Sequence, residues 1–453
     1  MPDTSSRPNV LVFFTDQQRH DSTGLHGNPL DLTPNLDALG RRGTHLYNMF
    51  TCQPVCGPAR ACLQTGMYPT QVGCWRNGIP LPPERRTLAH FFREAGYTTA
   101  YIGKWHLGGN DPGPVPEAQR GGYEYWLAAN VLEMTSDAYH TTVYDNDNRP
   151  VQLPGYRVDA ITDAAIRYLD AHSRQRFFLF VSYLEPHFQN HIDDYPPPEG
   201  YRQRYDGRWV PPDLAALGGS AHAHLGGYWG MVKRLDEAFG RILDALRSLG
   251  LLDNTIVLFT SDHACHFKTR NREYKRSCHE SSIRVPAVLH GGPFTGGGQV
   301  RQLVSLIDLP PTLLDAAGIP VPRHMQGRSI LPLLRGGSPA DWPGEVFVQI
   351  SEAQVARAIR TSRWKYCVDA PDRNAWRDSA SNRYVEQYLY DLEADPWELT
   401  NLINMESHAR VADRLRQRLL KRMAEAGEEL PTIEPAPRKP AGQRRVADAE
   451  VDL

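Results

Sequence analysis

Residues 9–17 read NVLVFFTDQ, an apolar run that stops abruptly at Thr15, Asp16 and Gln17. A short unbroken run of this kind suits a strand buried on both faces. Open α/β sheets bind ligands beyond the carboxyl ends of their strands, so the polar triplet marks a candidate site. The pattern recurs three times. TTAYIG (98–103) runs into Lys104, Trp105 and His106; FFLFVSYL (177–184) into Glu185, Pro186 and His187; NTIVLFT (254–260) into Ser261, Asp262 and His263. If the four strands are parallel neighbours, Asp16, Asp262, Lys104 and three histidines converge on one edge.

Amphipathic helical patterns alternate with these runs, which predicts an α/β protein. TPNLDALGRRG (33–43) reads as a helix with Thr33 as N-cap, Pro34 at the first position and Gly43 past the end. TLAHFFREAGY precedes the second strand and VDAITDAAIRYLDAH the third, and a helical stretch over 222–249 leads into the fourth. GGSPADWP (336–343) reads as a linker. Beyond it EVFVQI, ARAIRT, WKYCVD and QYLYDL predict a small antiparallel sheet, with a helix over 406–426. The expected organisation is a catalytic α/β domain over 1–340, with a large, mostly parallel sheet sandwiched by helices. A smaller α+β part follows over 341–429, then a Pro- and charge-rich tail over 430–453 with little to bury, mobile or packed on a partner subunit.

The 453 residues carry 50 basic and 52 acidic side chains, which gives no reason to expect nucleic acid or an anionic membrane as partner. The N-terminus has nine polar-lead residues and then five apolar ones, short of the about 7–15 of a secretory h-region. No run approaches the roughly 18 apolar residues of a membrane span. A cytoplasmic protein is expected. The seven cysteines are too few and too irregular for a disulfide framework.

Asp16, Gln17, Asp262 and His263 offer oxygen-rich ligation with one imidazole. That set suits a hard divalent cation, Ca2+ first, with Mg2+ and Mn2+ open. Each motif alone would equally serve as a capped turn. Lys104 and His106 point the same way if the backbone stays extended, and could grip an anion. TCQPVCGPARACLQTG (51–66) spaces its cysteines four and six apart, which is not a zinc pattern. Cys52 and Cys62 read as packing residues. Cys56 could be a thiol nucleophile activated by Arg60 and by a helix that Pro58 begins, or a plain buried cysteine.

Cys56-Gly57-Pro58-Ala59-Arg60, with Thr65-Gly66 downstream, resembles the signature of type I sulfatases of the alkaline phosphatase superfamily. PNVLVFFTDQQRHD, LTPNLDALGRRG, GYTTAYIGKWHLG, LEPH, LDNTIVLFTSDH, ESSIRVPAVLHGG, QGRSILPLL and YLYDLEADPWELTNL resemble that family's segments in order, over residues 8–425. The resemblance implies conversion of Cys56 to formylglycine by a maturation enzyme, with the aldehyde hydrate as nucleophile on a sulfate monoester. It also implies a metal held by Asp16, Gln17, Asp262 and His263 and shared with the group at 56. Arg60 would orient the hydrate, Lys104 and Lys275 would bind sulfate oxygens, His187 would protonate the leaving oxygen, and His106 would deprotonate the second hydroxyl. The sequence departs from the family at Gln17, where Asp is common, at His263, where Asn is common, and at Gln64. It also lacks a glycine-rich loop over 264–279. A carbohydrate sulfate, or a small aryl or alkyl sulfate, is the expected substrate, with self-association open. Trp75, Arg76, His191, His266, Arg270 and His279 are expected at the pocket rim, along with Asn77, Gln189, Asn190 and Arg272. The alternatives are a phosphonate monoester or phosphodiester hydrolase with the same nucleophile, a non-catalytic anion-binding homologue, and a zinc phosphatase, for which ligands are too few.

Overall fold

The computed structural model describes residues 7–335, 341–440 and 446–451. Ten strands form the main sheet: β1 (Asn9–Thr15), β2 (Thr44–Phe50), β3 (Thr98–Lys104), β4 (Tyr125–Ala129), β5 (Thr141–Tyr144), β6 (Pro150–Leu153), β7 (Phe177–Ser182), β8 (Thr255–Ser261), β9 (Ala287–His290) and β10 (Gly298–Ser305). Their order across the sheet is β10-β2-β9-β8-β1-β7-β3-β4-β5-β6. The four strands singled out in the sequence are consecutive neighbours, β8-β1-β7-β3, and all run parallel. Their carboxyl ends therefore share one edge.

The alternation of side chains along a strand divides the core in two. Val10, Val12 and Phe14 of β1, with Phe178 and Phe180 of β7 and Ile256 and Leu258 of β8, face one hydrophobic layer. Leu11, Phe13, Leu179, Val181, Val257 and Phe259 face the other. The second layer is closed by the helices Pro34–Arg42, Arg157–Ala171 and Ala221–Ser248. The first is closed by Cys56–Thr65, Leu88–Glu94 and Leu309–Ala316. Both faces are thus covered, as unbroken apolar strands require. At Gly103, φ is 108°, and a Cβ would stand 1.9 Å from the Ser182 carbonyl oxygen, so only glycine lets β3 lie against β7 there.

The smaller sheet comprises β11 (Glu345–Ile350), β12 (Ala356–Thr361), β13 (Trp364–Asp369), β14 (Arg383–Asp391) and β15 (Thr432–Glu434), with the helix Ala409–Glu425 against it. β11–β14 are antiparallel, and β15 joins β14 in parallel. Phe347, Ile359, Trp364 and Tyr366 belong to the same apolar layer as Val10 and Phe14, so hydrophobic contact continues from one sheet to the other. The tail expected to have little to bury supplies β15 and buries Ile433, Ala436 and Val451. Residues 336–340 of the expected linker and 441–445 and 452–453 of the tail lie outside the described residues. Among the described residues no helix is long and apolar enough to cross a membrane, and all seven cysteines are free and buried.

The helix 34–42 begins as expected, but the Thr33 side chain does not cap it. Its hydroxyl donates to Asp37 Oδ1 instead. The cap comes from Asp236 on the long helix: its carboxylate accepts the N–H of Asn35 at 3.0 Å and of Leu36 at 2.9 Å. Burial pushes Asp236 up to about 6, against the N–H groups that favour its charge. Asp236→Ala should cost about 1–3 kcal/mol, the range for stranding buried polar partners, and more than Asp236→Asn. Urea unfolding with an unchanged m-value would measure this.

Candidate active site

The strand ends are tied to one another before any ligand is considered. Ser261 Oγ donates to the Thr15 carbonyl at 3.1 Å and accepts the Gln18 N–H at 3.0 Å. Gln17 adopts φ 68°, and its N–H donates to Asp262 Oδ1 at 3.0 Å. The turn after β1 is thereby locked to the turn after β8. The helix carrying the signature starts at Cys56 itself, with Val55 as N-cap, two residues earlier than Pro58 suggested. Cys56 is the first helical residue, where the backbone dipole favours an anion. A Cβ at Gly57 would lie 3.0 Å from Asn77 Oδ1 and 3.2 Å from the His106 carbonyl oxygen. Any side chain there would push His106 away.

Cys56 Sγ is the hub. Lys275 Nζ donates to it at 2.9 Å, His263 Nε2 lies at 3.3 Å, and the thiol faces Asp16 Oδ1 at 3.5 Å. His106 and His187 stand beside it in the wall of the same cavity. Burial pushes the Cys56 thiol up, yet Lys104, Lys275 and His263 outweigh burial and hold it well below its ordinary value. Asp16 Oδ2 accepts from Lys104 Nζ at 2.8 Å and Arg60 Nη2 at 2.9 Å. Burial and the thiol push Asp16 up, but Lys104, His187 and Arg60 hold it well below the carboxylate range. Asp262 moves the other way, raised by burial and then by Asp16.

Asp16, Cys56, Asp262 and His263 present ligand atoms within 4.8 Å of one another, all buried. His263 Nδ1 lies 3.0 Å from the Ala264 carbonyl oxygen, which fixes the proton on Nδ1 and leaves the Nε2 lone pair for the centre. The Gln17 amide nitrogen donates to Tyr195 Oη at 3.0 Å and Cys265 Sγ at 3.3 Å, and its Oε1 is buried without a hydrogen-bond partner. Asp262 Oδ2 also lacks a hydrogen bond, with Arg60 Nη2 at 3.4 Å. Unmet buried acceptors next to two carboxylates and an imidazole are what a divalent cation satisfies. The cluster fits a metal site.

The remaining expected residues divide clearly. Lys104 is fully buried, bridging Asp16 and Glu133 Oε1, the latter at 2.8 Å. Glu133 is raised by burial but held at about 2 by Lys104 and His106. Lys104 and His106 do not align through extended backbone: His106 turns at φ 59°, pinned by its N–H to the Asn130 carbonyl at 2.6 Å. Arg60 does not hydrogen-bond to Cys56. It donates to Asp16, the Lys104 carbonyl and Ser182 Oγ. Burial and Lys275 push His187 down; its Nδ1 lies 2.6 Å from the Phe188 carbonyl oxygen and its Nε2 3.2 Å from Lys275 Nζ. A cavity of about 210 Å³ opens over Cys56, walled by His106, Glu133, His187, Lys275 and Arg276 among others.

Most of the expected rim residues do not line this cavity. His266 is buried with Nε2 on the Lys275 carbonyl at 3.0 Å, so it braces that lysine's backbone. His279 is buried against Ser277 and Tyr390. Arg270 donates to the carbonyls of Trp397 and Glu398, tying the loop to the smaller sheet's side of the molecule. Gln189 is likewise buried, on Arg157 and the Glu133 and Ser136 carbonyls. Trp75 and Arg76 pack on each other beside Asn77, which lines the cavity with Asn190; they do not line it themselves. His191 and Arg272 are exposed, His191 in an adjoining groove. Sequence reading missed Glu133, Tyr195, Cys265 and Arg276. Cys265, two residues past His263, and Arg276, next to Lys275, sat near recognised motifs, whereas Glu133 and Tyr195 did not.

The sulfatase family profile matches residues 8–319, and that of the N-sulphoglucosamine sulphohydrolase C-terminal region matches 273–425. An ulvan-active sulfatase of Formosa agariphila is 31% identical over 94% of this chain and 83% of its own length. An N-acetylglucosamine-6-O-sulfatase of Bacteroides thetaiotaomicron is 26% identical over 92% and 86%. A solved structure of a protein with its substrate D-glucosamine-2-N,6-O-disulfate superposes with TM-score 0.76 at 23% identity, covering 93% of this chain and 98% of that one. The chain belongs to the sulfatase family and is a sulfuric ester hydrolase.

Tyr195 and Cys265 hold the Gln17 amide with its oxygen free. Tyr195→Phe combined with Cys265→Ala should lower divalent-cation affinity, probed with Ca2+, Mg2+ and Mn2+, by about 10–100-fold, the usual effect of removing groups that orient ligands. Calorimetric titration would measure it, and unchanged affinity would remove these residues from the role.

Proposed function

We propose that this protein hydrolyses a sulfate monoester of a carbohydrate, with a formylglycine made from Cys56 as nucleophile and Ca2+ as its metal. The observation that carries the reading is the convergence of Lys275, His263 and Asp16 on one buried sulfur atom, with His106 and His187 lining the cavity beside it. That sulfur stands in for an oxygen of the aldehyde hydrate. Cys56 is 1% exposed, so conversion has to act on the segment before the chain folds. Saccharide sulfate as substrate draws on the N-acetylglucosamine-6-O-sulfatase relative and on the polar walls of the cavity.

Asp16, Gln17, Asp262 and His263 would hold the metal, which would polarise a sulfate oxygen and favour an ionised hydroxyl at residue 56. Arg60 acts one step back, fixing both aspartates. Among the described residues Lys275 has no carboxylate within ion-pair distance; its ammonium sits among a thiol and two imidazoles. A sulfate oxygen is the partner it lacks. Lys104 keeps one N–H beyond its two carboxylates for the same anion. His187 lines the cavity and, once charged beside a bound sulfate with Nδ1–H on the Phe188 carbonyl, would give its Nε2 proton to the departing oxygen. His106, in the same cavity wall, takes the proton from the second hydroxyl so that sulfate leaves and the aldehyde returns. An aldehyde hydrate permits this exit because it keeps a hydroxyl that a serine ester would not have.

Peptide mass analysis of protein from the native host should show residues 51–66 lighter by about 18 Da, the change from thiol to aldehyde. Cys56→Ala should abolish turnover. A panel of singly sulfated monosaccharides, with an aryl sulfate and an aryl phosphonate as controls, tests the substrate. Turnover of none of the sugars would sink the carbohydrate reading.

His187→Ala should lower kcat on a sugar sulfate by about 10²–10⁴-fold, the usual worth of a positioned acid. On an aryl sulfate, whose leaving oxygen needs little protonation, the loss should be far smaller. Equal losses on both would take the proton-donor role from His187.

A further inference from the structure

Beside the cavity over Cys56 lies a wide groove of about 900 Å³. The two share Glu133 and Met134, so they adjoin across these residues. The groove runs between the short helix Leu132–Thr135, the turn at 137–140 and the β5–β6 hairpin, with His191 on its far side. Met134 is 64% exposed and Tyr139 49% exposed. Tyr139 is nevertheless a braced ring: it meets the buried Tyr156 edge-on at 5.4 Å, and Tyr156 Oη is fixed on the Pro196 carbonyl. Asp137 and His140 close the turn through mutual backbone hydrogen bonds, and Asp137 Oδ1 faces His191 Nε2 at 3.3 Å.

Charge separates the groove from the cavity. The cavity wall carries Lys275 and Arg276 alongside Glu133 and Glu273, whereas the groove wall has no lysine or arginine; its Glu133 is paired with Lys104, and its Asp137 faces only His191. An anionic group would find no lysine or arginine there to pair with, and the exposed Asp137 carboxylate as a neighbour. An uncharged sugar suits it better: an apolar ring face on Tyr139 and Met134, with hydroxyls reaching His140, His191 and Gln152. Resting on the sulfate reading above, we propose that this groove is a subsite for a neutral sugar joined to the sulfated one. The preferred substrate is then an oligosaccharide whose residue next to the sulfated sugar carries neither sulfate nor carboxylate. Binding energy from that remote residue would raise kcat/KM.

The test uses the sulfated sugar that the monosaccharide panel selects, offered alone, joined to a neutral hexose, and joined to a hexuronate, with an aryl sulfate as reference. For the native enzyme kcat/KM should be about tenfold higher for the neutral disaccharide than for the monosaccharide, one increment of roughly 1.4 kcal/mol. The hexuronate should gain nothing. Tyr139→Ala should lower the ratio of disaccharide to aryl sulfate kcat/KM by about the same factor. Gln152→Lys, on the exposed hairpin, should shift preference several-fold towards the hexuronate. A disaccharide no better than the monosaccharide, a hexuronate preferred by the native enzyme, or ratios unmoved by both variants would overturn the subsite. Failure on the aryl sulfate and on every sugar would overturn the sulfate reading instead, so the two failures are distinguishable.

Discussion

Asp16 Oδ2 sits within 2.9 Å of both Lys104 Nζ and Arg60 Nη2, with all three groups shut away from water. Burying a charge is tolerated only when it is paired and hydrogen-bonded, and here the pairing extends in both directions. Lys104 continues to Glu133; Arg60 continues to Asp262, Ser182 and the Lys104 carbonyl. Three anions and three cations, counting Lys275, are therefore packed around one sulfur. Removing one member strands its partners in a low-dielectric pocket, which is costlier than the loss of a surface pair. Everything else in the site is placed relative to this network: β1, β3, β7 and β8 supply it, and the helix at 56 plugs into it.

That network explains which parts were legible in the sequence. The four strands end at polar triplets because an apolar run buried on both faces has to stop where charge begins, so Asp16, Lys104, His187 and Asp262 announced themselves. Glu133 did not. It lies on a one-turn helix with no periodic pattern, and its partner is 29 residues away. Thr33 looked like a cap because caps are read locally, yet the carboxylate that caps the helix is Asp236, about 200 residues downstream. The loop 264–279 shows the converse error. His266, Arg270 and His279 are polar residues in a loop near the site, which suggested a rim. They face inward because this loop also has to hold the smaller sheet. Spacing along a sequence does not tell which side of an irregular loop each residue takes.

The smaller sheet also shapes the entrance. Glu352, just after β11, takes φ 66° and accepts the Asn77 N–H at 2.7 Å, and it pairs with Arg276 at 2.5 Å. Asn77 in turn holds the Gly57 N–H at the head of the signature helix at 2.9 Å. One carboxylate from the C-terminal part thus positions both a cavity-wall cation and the start of the helix at 56. Behind it, Lys365 on β13 is buried between Glu280 and Glu398. Burial pushes Glu280 up, but Arg360, Lys365 and Arg284 hold it well below its ordinary value. Loss of the smaller sheet would therefore act on the chemistry as well as on stability.

The surroundings of residue 56 bear on why a thiol would not suffice there. A helix N-terminus, two lysines and an imidazole favour negative charge at that position, which holds a cysteine's thiol well below its ordinary value and favours its thiolate. Such a thiolate would pair with Lys275 and be held more tightly the better it was stabilised, which lowers its nucleophilicity. The same cations serve an oxygen nucleophile better, because an alkoxide from a hydrate is far more basic and needs that stabilisation to form near neutral pH. Two imidazoles line the same cavity, His187 braced by the Phe188 carbonyl and His106 held in its tight turn. Cations that favour an anion at residue 56, with two imidazoles beside it, are the surroundings that the proposed aldehyde hydrate would need.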